Sequence, residues 1–309
     1  MKRTTDLCFS SGLGAKSPGA PTKSVVVCNA EKGRGVVVTG GTKGIGFAMA
    51  RKFASLGHRV VICGRSEDSL RDAMEVMDGN VYGISCDVSE AKSVESLANF
   101  ATEKLGRIDI WINNAGSNAY SRRDLRDLDP EQIKEVVETN MLGSLLCSRQ
   151  ALRTLESQDP AGGHIFNMEG AGSFGDATAT YAAYGATKSS IPQLTASLVE
   201  ETKKSPVGCH ILSPGMVLTD LLLSDSTVLF RRFFNLIAEE PDTVAENIVP
   251  RILEVSGTNK KIRFLTVPGA FLKIVVNAIF NRNKFFDDKG ERIPGDDSEF
   301  DEQRVKKQY

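Results

Sequence analysis

The sequence predicts an α/β protein with a doubly wound Rossmann fold, a single domain in which a parallel sheet carries helices on both faces. Short apolar runs alternate with segments of helical spacing from residue 34 onward, which is the pattern of a parallel sheet with crossover helices. The runs are apolar at nearly every position, as strands covered on both faces must be. A glycine-rich turn follows the first run, between a predicted strand and a predicted helix.

Seven apolar runs are the predicted strands. They are Gly35–Thr39, Arg59–Cys63, Val81–Cys86, Ile108–Ile112, Gly163–Met168, Gly208–Leu212 and Ile262–Val267. Helical spacing of apolar residues predicts the segments between them. These are Phe47–Leu56, Asp68–Met77, Val94–Leu105, Pro130–Thr154, Thr178–Thr202 and Asp242–Val255. Residues 216–240 also carry apolar side chains at helical spacing.

The composition excludes several classes of protein. A formal net charge of −1 leaves no basic excess for a nucleic-acid surface, so we expect no nucleic-acid partner. The six cysteines are scattered and only three histidines are present, so we expect no metal site. Cysteines this sparse suit a reducing compartment. No apolar run approaches the length that spans a bilayer.

Residues 1–33 differ in composition from the rest of the chain. Their first 30 positions hold four basic residues but only one acid, Asp6, among many serines and threonines. This composition is typical of an organelle transit peptide, and its serine content favours a plastid over a mitochondrion. The alternative is a disordered tail that carries no address. Residues 34–268 then form the folded domain, and residues 269–309 form an apolar segment followed by a charged, solvated tail from Asp287.

The turn after the first strand has the residue types that bind a dinucleotide phosphate. A phosphate can approach backbone N–H groups closely where side chains are absent, and the N-terminus of the next helix attracts its charge. The candidate cofactor-binding residues are Gly40, Thr42, Lys43, Gly44, Ile45 and Gly46. The alternative is an ordinary surface turn, but the position between a strand and a helix favours the cofactor.

The end of the second strand indicates which dinucleotide binds. An acid there binds a free ribose 2′-hydroxyl, whereas an arginine accommodates a 2′-phosphate. The sequence has Arg65 followed by Ser66, with no acid at the strand tip. Lys43 could place a second positive charge near the same phosphate. We therefore expect NADPH as the cofactor; the alternative is that both bases are ordinary surface residues.

Tyr184 and Lys188 are candidate catalytic residues. Positions i and i+4 of a helix lie on one face, so the lysine would sit beside the phenol. A nearby cation lowers the pKa of a phenol from its usual value of about 10. Tyr184 could then donate a proton to a carbonyl oxygen as hydride reaches the carbon, while Lys188 holds the nicotinamide ribose. The same spacing occurs in ordinary surface pairs, and only its place after the fifth strand makes it specific.

The sequence resembles the short-chain dehydrogenase/reductase family over about residues 35–267. The motifs that carry the resemblance occur in family order. They are the glycine turn at Thr39–Gly46, Asn113–Gly116 after the fourth strand, Asn140, the pair Tyr184 and Lys188, and Ser213–Gly215 after the sixth strand. The resemblance implies an NAD(P)H-dependent oxidoreductase that moves a hydride to or from a carbonyl.

The resemblance also implies where further residues lie. Asp87 and Val88 would lie by the adenine, Asn114, Ala115 and Gly116 by the adenosine ribose, and Pro214, Gly215, Val217 and Thr219 by the nicotinamide. Asn140 would anchor a water of the proton relay.

One element of the family pattern is out of place. The family has a catalytic serine in a Ser-Ser pair just past the fifth strand, and this chain has Glu169 and Gly170 there. The nearest hydroxyl belongs to Ser173, eleven residues before Tyr184. We expect Ser173 to reach the substrate oxygen through a reshaped loop. The alternative is that Ser173 only serves the glycine-rich loop and leaves Tyr184 to hold the carbonyl oxygen.

Within the family, the sequence is similar to the chlorophyll b reductases of plastids, the non-yellow-colouring-like kind. The similarity lies in the segments that begin at Ile165 (IFNMEGAGSFG), Tyr181 (YAAYGATK), Leu212 (LSPGMVLTDLLLS) and Ile262 (IRFLT). It implies that NADPH reduces the 7-formyl group of chlorophyll b to a hydroxymethyl group. It also implies a place in the chloroplast, on the stromal side of the thylakoid membrane.

Two apolar segments bear on the substrate and the membrane. Leu221–Ile237 contains phenylalanines that could pack on a flat apolar ring, with ordinary core packing as the alternative. Phe271–Phe280 is too short to span a bilayer and is flanked by Lys273, Arg282 and Lys284. It could lie in the membrane interface, form a buried helix or make an oligomer contact.

Three functional hypotheses remain open on the sequence. The first is the pigment reductase, and the second is a plastid NADPH reductase of another carbonyl, such as a 3-oxoacyl thioester. The third is a catalytically weak NADP-binding subunit that works through a partner. The displaced serine supports the third, whereas Tyr184 and Lys188 argue against it. The long helices on either side of the fifth strand often form dimer faces in this family, so a homo-oligomer or a complex with a related reductase is compatible with the sequence.

Overall fold

The computed structural model describes residues 33–280 and 284–293. Seven strands form one sheet in the order β3–β2–β1–β4–β5–β6–β7, and every neighbouring pair is parallel. The strands are β1 (Gly35–Thr39), β2 (Arg59–Gly64), β3 (Val81–Ser85), β4 (Ile110–Asn113), β5 (Gly163–Met168), β6 (Val207–Ser213) and β7 (Lys261–Arg263). The predicted doubly wound Rossmann fold is confirmed. The predicted leader, residues 1–33, lies outside the described residues apart from Gly33.

Helices follow the strands in alternation, as predicted. They are α1 (Gly44–Ser55), α2 (Glu67–Glu75), α3 (Ala91–Leu105), α4 (Pro130–Val137), α5 (Gly143–Ser157), α6 (Ala182–Glu201), α7 (Asp220–Leu223), α8 (Val228–Ile237), α9 (Pro241–Leu253) and α10 (Val267–Phe280). The apolar faces of α1 and α9 pack on one side of the sheet, and those of α3, α5 and α6 pack on the other. The central strands are therefore buried on both faces, which explains their continuous apolar sequence.

The long helix predicted over Pro130–Thr154 is interrupted in the structure. Residues Glu138–Leu142 form a π-helical turn between α4 and α5. Such a turn widens the helix by one residue and is frequent at functional sites. It places the side chain of Asn140 in the interior of the protein, fully buried.

Near the C-terminal end, one predicted boundary differs from the structure, and the charged segment forms a turn. The seventh strand ends at Arg263, before the predicted Val267, because Thr266 caps α10 by accepting a hydrogen bond from the N–H of Gly269 at 3.3 Å. The charged stretch from Asp287 to Ile293 forms a closed turn, in which the N–H of Ile293 donates to the carbonyl of Phe285 at 2.8 Å. Asp288, Lys289, Glu291 and Arg292 are exposed, so this charged turn is solvated along most of its length; residues 294–309 lie outside the described part.

A small apolar cluster lies beside the sheet edge, built from α8 and the segment after α10. Phe234 of α8 packs on Phe285 and Phe286. The buried side chain of Asn235 accepts hydrogen bonds from the N–H groups of both of these phenylalanines, at 2.8 and 2.9 Å. Within residues 33–280 and 284–293, none of the helices is long and apolar enough to cross a bilayer.

Candidate active site

The predicted site residues meet at the edge of the sheet where the strands end. The glycine turn follows β1, Arg65 follows β2, and Asn114 follows β4. The loop after β5 precedes α6, which carries the tyrosine and lysine, and Pro214 follows β6. Carboxyl ends of parallel strands share one edge, so this is the edge at which open α/β sheets bind ligands.

The glycine turn is packed against the loop after β4. The side-chain amide of Asn114 donates to the carbonyls of Thr39 and Gly40, at 2.9 and 3.0 Å. A Cβ on Gly46 would lie 2.3 Å from that amide nitrogen, so only glycine fits there. Gly40 has φ of 63°, a left-handed conformation that also favours glycine. With α1 beginning at Gly44, the turn fits the phosphates of a dinucleotide.

The end of β2 lies at the part of the cofactor site that is predicted to bind the 2′-phosphate. Arg65 lines an open cavity together with Asp87, Ser89, Glu131, Lys134, Glu135, Glu138 and Thr139. Its guanidinium lies 3.3 Å from the carboxylate of Glu135. Ser66 caps α2, accepting from the N–H of Ser69 at 3.2 Å. The cavity joins the predicted 2′-phosphate and adenine residues, and their roles stay predictions.

Lys43, in the glycine turn, reaches the neighbouring loop. Its ammonium contacts the hydroxyl of Tyr120, on the loop after β4. Among the described residues, the structure records no contact between Lys43 and Arg65. The predicted place of Lys43 near the 2′-phosphate stays a prediction.

The stretch after β6 lies beside the glycine turn. Gly215 has φ of 74°, and Val217 pairs with Glu239 in an isolated parallel bridge. The methyl group of Thr219 would lie 3.0 Å from a Cβ on Gly44. The predicted nicotinamide residues and the predicted phosphate residues are thus neighbours in space, as one cofactor requires.

Asn140 joins the loop after β4 to α6. Its carbonyl oxygen accepts from the N–H of Ser117 at 2.8 Å, and its amide donates to the carbonyl of Ser117 at 2.8 Å and to the hydroxyl of Thr187 at 3.0 Å. Thr187 precedes Lys188, so Asn140 helps to fix the lysine. Its predicted part in a water-mediated proton relay stays a prediction.

Tyr184 and Lys188 lie together on α6, with the lysine nitrogen 5.9 Å from the centre of the tyrosine ring. The lysine is buried, and its ammonium donates to the carbonyl of Met168 at 3.1 Å. Burial lowers the pKa of Lys188 to about 8, and the negative charge of Glu169 opposes this shift. Burial raises the pKa of Tyr184 above its usual value, with Tyr181 as a second cause. The direction of this shift is opposite to the one predicted from a neighbouring cation, and desolvation is its largest cause.

Ser173 is buried and holds the loop after β5 against α6. Its hydroxyl accepts from the N–H of Gly170 at 2.9 Å and donates to the carbonyl of Lys188 at 3.1 Å. A serine hydroxyl has a single proton, so in this arrangement Ser173 has none to donate to a substrate oxygen. Its catalytic role stays a prediction, and these contacts favour the alternative that it serves the loop.

Gly170 occupies the place of the family serine, directly against the tyrosine. A Cβ there would lie 2.6 Å from the hydroxyl of Tyr184 and 3.3 Å from the side chain of Lys188. The loop therefore has no room for a serine side chain while Tyr184 keeps its position. The displaced serine is explained by the close approach of the loop backbone to α6.

Glu169 is a candidate functional residue that sequence reasoning missed. It is only 4% exposed, and its Oε2 atom is buried with no hydrogen-bond partner among the described residues. It lies between Met168 and Gly170, both of which contact Lys188. The available signal was an acid at the end of a buried strand, where a charge is costly unless it balances another charge.

A change of Glu169 tests whether its charge acts on the lysine. In Glu169→Gln, the interaction that opposes desolvation is lost, so the pKa of Lys188 falls below about 8. Since the predicted role of Lys188 needs the ammonium, we expect the alkaline limb of the pH dependence of kcat/KM to move down by about one unit. Asp176→Asn, an exposed position in the same loop, is the matched control. An unmoved alkaline limb in Glu169→Gln would refute the coupling.

Restoring the family serine tests the packing at Gly170. In Gly170→Ser, the new side chain displaces the hydroxyl of Tyr184 from its position. We expect kcat to fall by about 10- to 100-fold, because a shift of about 1 Å in a reacting group has effects of this size. Ala171→Ser, at the exposed neighbouring position, should leave kcat within about twofold of the wild type. A higher kcat in Gly170→Ser would contradict the steric explanation.

Comparison with known proteins identifies the family. A model of the short chain dehydrogenase family matches residues 34–227. Chlorophyll(ide) b reductase NOL, chloroplastic, from Oryza sativa subsp. japonica is 46% identical over 266 residues, which cover 81% of this chain and 77% of the relative. Probable chlorophyll(ide) b reductase NYC1, chloroplastic, from Arabidopsis thaliana is 43% identical over 280 residues, which cover 84% of this chain and 56% of the relative. This chain therefore spans just over half the length of the NYC1 relative.

A solved structure supports the fold. The 3-ketoacyl-(acyl-carrier-protein) reductase from Brucella melitensis, complexed with NADH, has a TM-score of 0.66 and 24% identity, covering 75% of this chain and 97% of that one. At this identity the likeness shows the fold alone. Together, the family match over most of the folded domain and the close relatives show that this chain belongs to the short-chain dehydrogenase family.

Proposed function

We propose that this chain reduces the 7-formyl group of chlorophyll b, or of its free acid chlorophyllide b, to a hydroxymethyl group with NADPH. The observation that carries the proposal is the identity of 43–47% to four chlorophyll(ide) b reductases, over 77–84% of this chain. The aligned part is long enough to include both the cofactor end and the catalytic end of the site. A plain aldehyde reduction also fits a site built around one half-buried tyrosine and one buried lysine.

The side chains of the site divide the reaction between them. The nicotinamide, when bound, supplies the hydride to the formyl carbon. Tyr184, whose raised pKa keeps the phenol protonated, donates a hydrogen bond to the formyl oxygen and transfers its proton as negative charge develops there. Lys188 stabilises the resulting phenolate and binds the nicotinamide ribose. Asn140 and Ser173 keep the lysine and the loop in place.

NADPH is the proposed cofactor because Arg65 lies at the tip of β2, in the cavity that also contains Asp87. In this structure Arg65 forms a solvent-exposed ion pair with Glu135. On binding NADPH, Arg65 would give up this pair and form charge-assisted hydrogen bonds with the 2′-phosphate instead. Exposed ion pairs contribute little, so this exchange favours the phosphate.

A change of charge at Arg65 tests the choice of cofactor. In Arg65→Asp, the acid repels a 2′-phosphate but can bind a free 2′-hydroxyl. We expect the Kd of NADPH to rise by at least about tenfold more than the Kd of NADH, measured by fluorescence titration. Arg71→Asp, an exposed position on α2, is the control. Equal losses for both cofactors would refute the assignment.

Attachment to the stromal face of the thylakoid is part of the proposal. The relatives are named as chloroplastic, and the composition of residues 1–33 supports the same compartment. The outer face of α10 is wholly apolar, with exposed side chains at Phe271, Leu272, Val275, Val276, Ile279 and Phe280. Such a face suits the interfacial layer of a membrane, and a homo-oligomer or a related reductase would be an alternative cover.

The basic residues near α10 act differently from the expectation. Lys273 and Lys284 both contact the carboxylate of Glu239, at 2.7 and 2.6 Å. They tie α10 and the following segment to the end of α8, so neither is available as a free charge for lipid head groups. Arg282 lies outside the described residues. The proposed membrane contact therefore depends on the apolar side chains.

The decisive experiment is an assay of the purified chain with NADPH and chlorophyll b or chlorophyllide b. We expect the 7-hydroxymethyl product, identified by absorption spectrum and chromatography. In Tyr184→Phe, turnover should fall by about 10²- to 10⁴-fold while the Kd of NADPH stays within about twofold, because only the proton donor is removed. Turnover of a 3-oxoacyl thioester but of neither pigment would favour the second hypothesis. Tight NADPH binding without any turnover would favour the inactive subunit.

A further inference from the structure

Three buried side-chain atoms lack a hydrogen-bond partner in the described part of the chain, and all of them lie around the catalytic tyrosine. They are Ser121 Oγ, Arg122 Nε and Glu169 Oε2. Two belong to consecutive residues on the loop after β4, and both are donors. A buried donor without an acceptor is unfavourable, and such groups are rare in folded proteins. The pair at Ser121 and Arg122 therefore indicates an acceptor that belongs to a ligand.

The guanidinium of Arg122 is held in a fixed position by its surroundings. Its central carbon lies 4.9 Å from the ring centre of Tyr181, 5.3 Å from that of Phe230 and 5.9 Å from that of Phe234. One terminal nitrogen donates to the carbonyl of Leu222 at 2.6 Å. Aromatic walls exclude water, so an ion pair formed there is screened less than one on the surface.

Arg122 has no acidic side chain as a counter-ion. Among residues 33–280 and 284–293, the structure records no carboxylate within 4.0 Å of its guanidinium. The nearby carboxylate of Asp225 accepts instead from the backbone N–H of Arg122, at 3.2 Å. A positive charge enclosed by three aromatic rings and lacking a counter-ion is a good site for an anionic oxygen.

This charge lies close to the reacting centre but apart from it. The rings of Tyr181 and Tyr184 are 5.4 Å apart, in an edge-to-face contact. With the 4.9 Å contact between Arg122 and Tyr181, this places the guanidinium within about 10 Å of the centre of the Tyr184 ring. Ser121 and Tyr184 also line one small, narrow pocket. A ligand that contacts both Tyr184 and Arg122 needs a carbonyl oxygen and an acidic group at separate points of one molecule.

We propose that Arg122 and Ser121 bind a carboxylate on the side of the substrate away from the reacting formyl group. On the proposed function, on which this inference rests, that group is the free propionate of chlorophyllide b. In chlorophyll b the same group is an ester, which has no charge to pair with the guanidinium. The site therefore selects the acid form of the pigment over the esterified form.

A comparison of the two pigments in Arg122→Gln tests this selection. With saturating NADPH, we expect KM for chlorophyllide b to rise by about tenfold or more, with kcat within about threefold, because a charge-assisted contact is lost. The KM for chlorophyll b should change by less than about threefold. Arg123→Gln, the exposed neighbour on the same loop, is the control and should leave both pigments unaffected. Equal effects on the two pigments, or none, would overturn the proposal.

A binding measurement separates this proposal from the proposed function. Chlorophyllide a carries the same propionate but has a methyl group in place of the formyl group, so it can bind without reacting. We expect its Kd for the NADPH-loaded protein, from fluorescence quenching, to rise by about tenfold in Arg122→Gln. If the wild type reduces neither b pigment, the proposed function fails, and this Kd still decides the role of Arg122. An unchanged Kd overturns the proposal.

Protein integrity is checked in the same experiments. The Tm and the Kd of NADPH should match those of the wild type. Should Arg122→Gln fail to fold, Arg122→Lys keeps the positive charge but loses the Nε donor, and Ser121→Ala removes the second donor. A rise in the Kd of chlorophyllide a in both supports the site, and no rise in either overturns it.

Discussion

The close contact between the backbone after β5 and helix α6 is the constraint on which the site depends. A Cβ on Gly172 would lie 2.6 Å from the Cα of Gly185, and one on Gly170 would meet the hydroxyl of Tyr184 at the same distance. Ser173 completes the contact through the carbonyl of Lys188. Because loop and helix touch backbone to backbone, the tyrosine and the lysine have little freedom to move. This contact positions Tyr184 although the family serine is absent from its usual place.

The fold could be predicted from the sequence because its signals are local. Strand β5 has the predicted bounds, because a short apolar run between a glycine and a polar loop indicates a buried strand. Strand β7 was shorter than predicted because the apolar residues after Arg263 suit the start of a helix as well as a strand, and Thr266 decides between them. The π-helical turn around Asn140 was not predictable, because apolar spacing continues through it.

Some residues of the candidate site could likewise be predicted from the sequence, and others could not. Arg65 could be found because topology brings the ends of parallel strands together, and Tyr184 could be found from its spacing to Lys188 on the helix after β5. Arg122 could not, because its surroundings come from segments far apart in the chain: Leu222, whose carbonyl it binds, is 100 residues away. Glu169 was visible as a departure from the family pattern, but its burial beside Lys188 was not. Sequence motifs identify the shared chemistry, and three-dimensional contacts identify what is particular to this chain.

The apolar face of α10 has a consequence for how this protein's stability should be understood. Phe271 and Phe280 are 71% and 76% exposed, and removing either side chain from water would lower the free energy of the system. A surface that covered them in the folded chain, and bound the unfolded chain less tightly, would raise the apparent free energy of unfolding by mass action. The melting temperature is then a property of the protein together with its surroundings. Values measured in dilute buffer, in detergent and on lipid will describe three different equilibria.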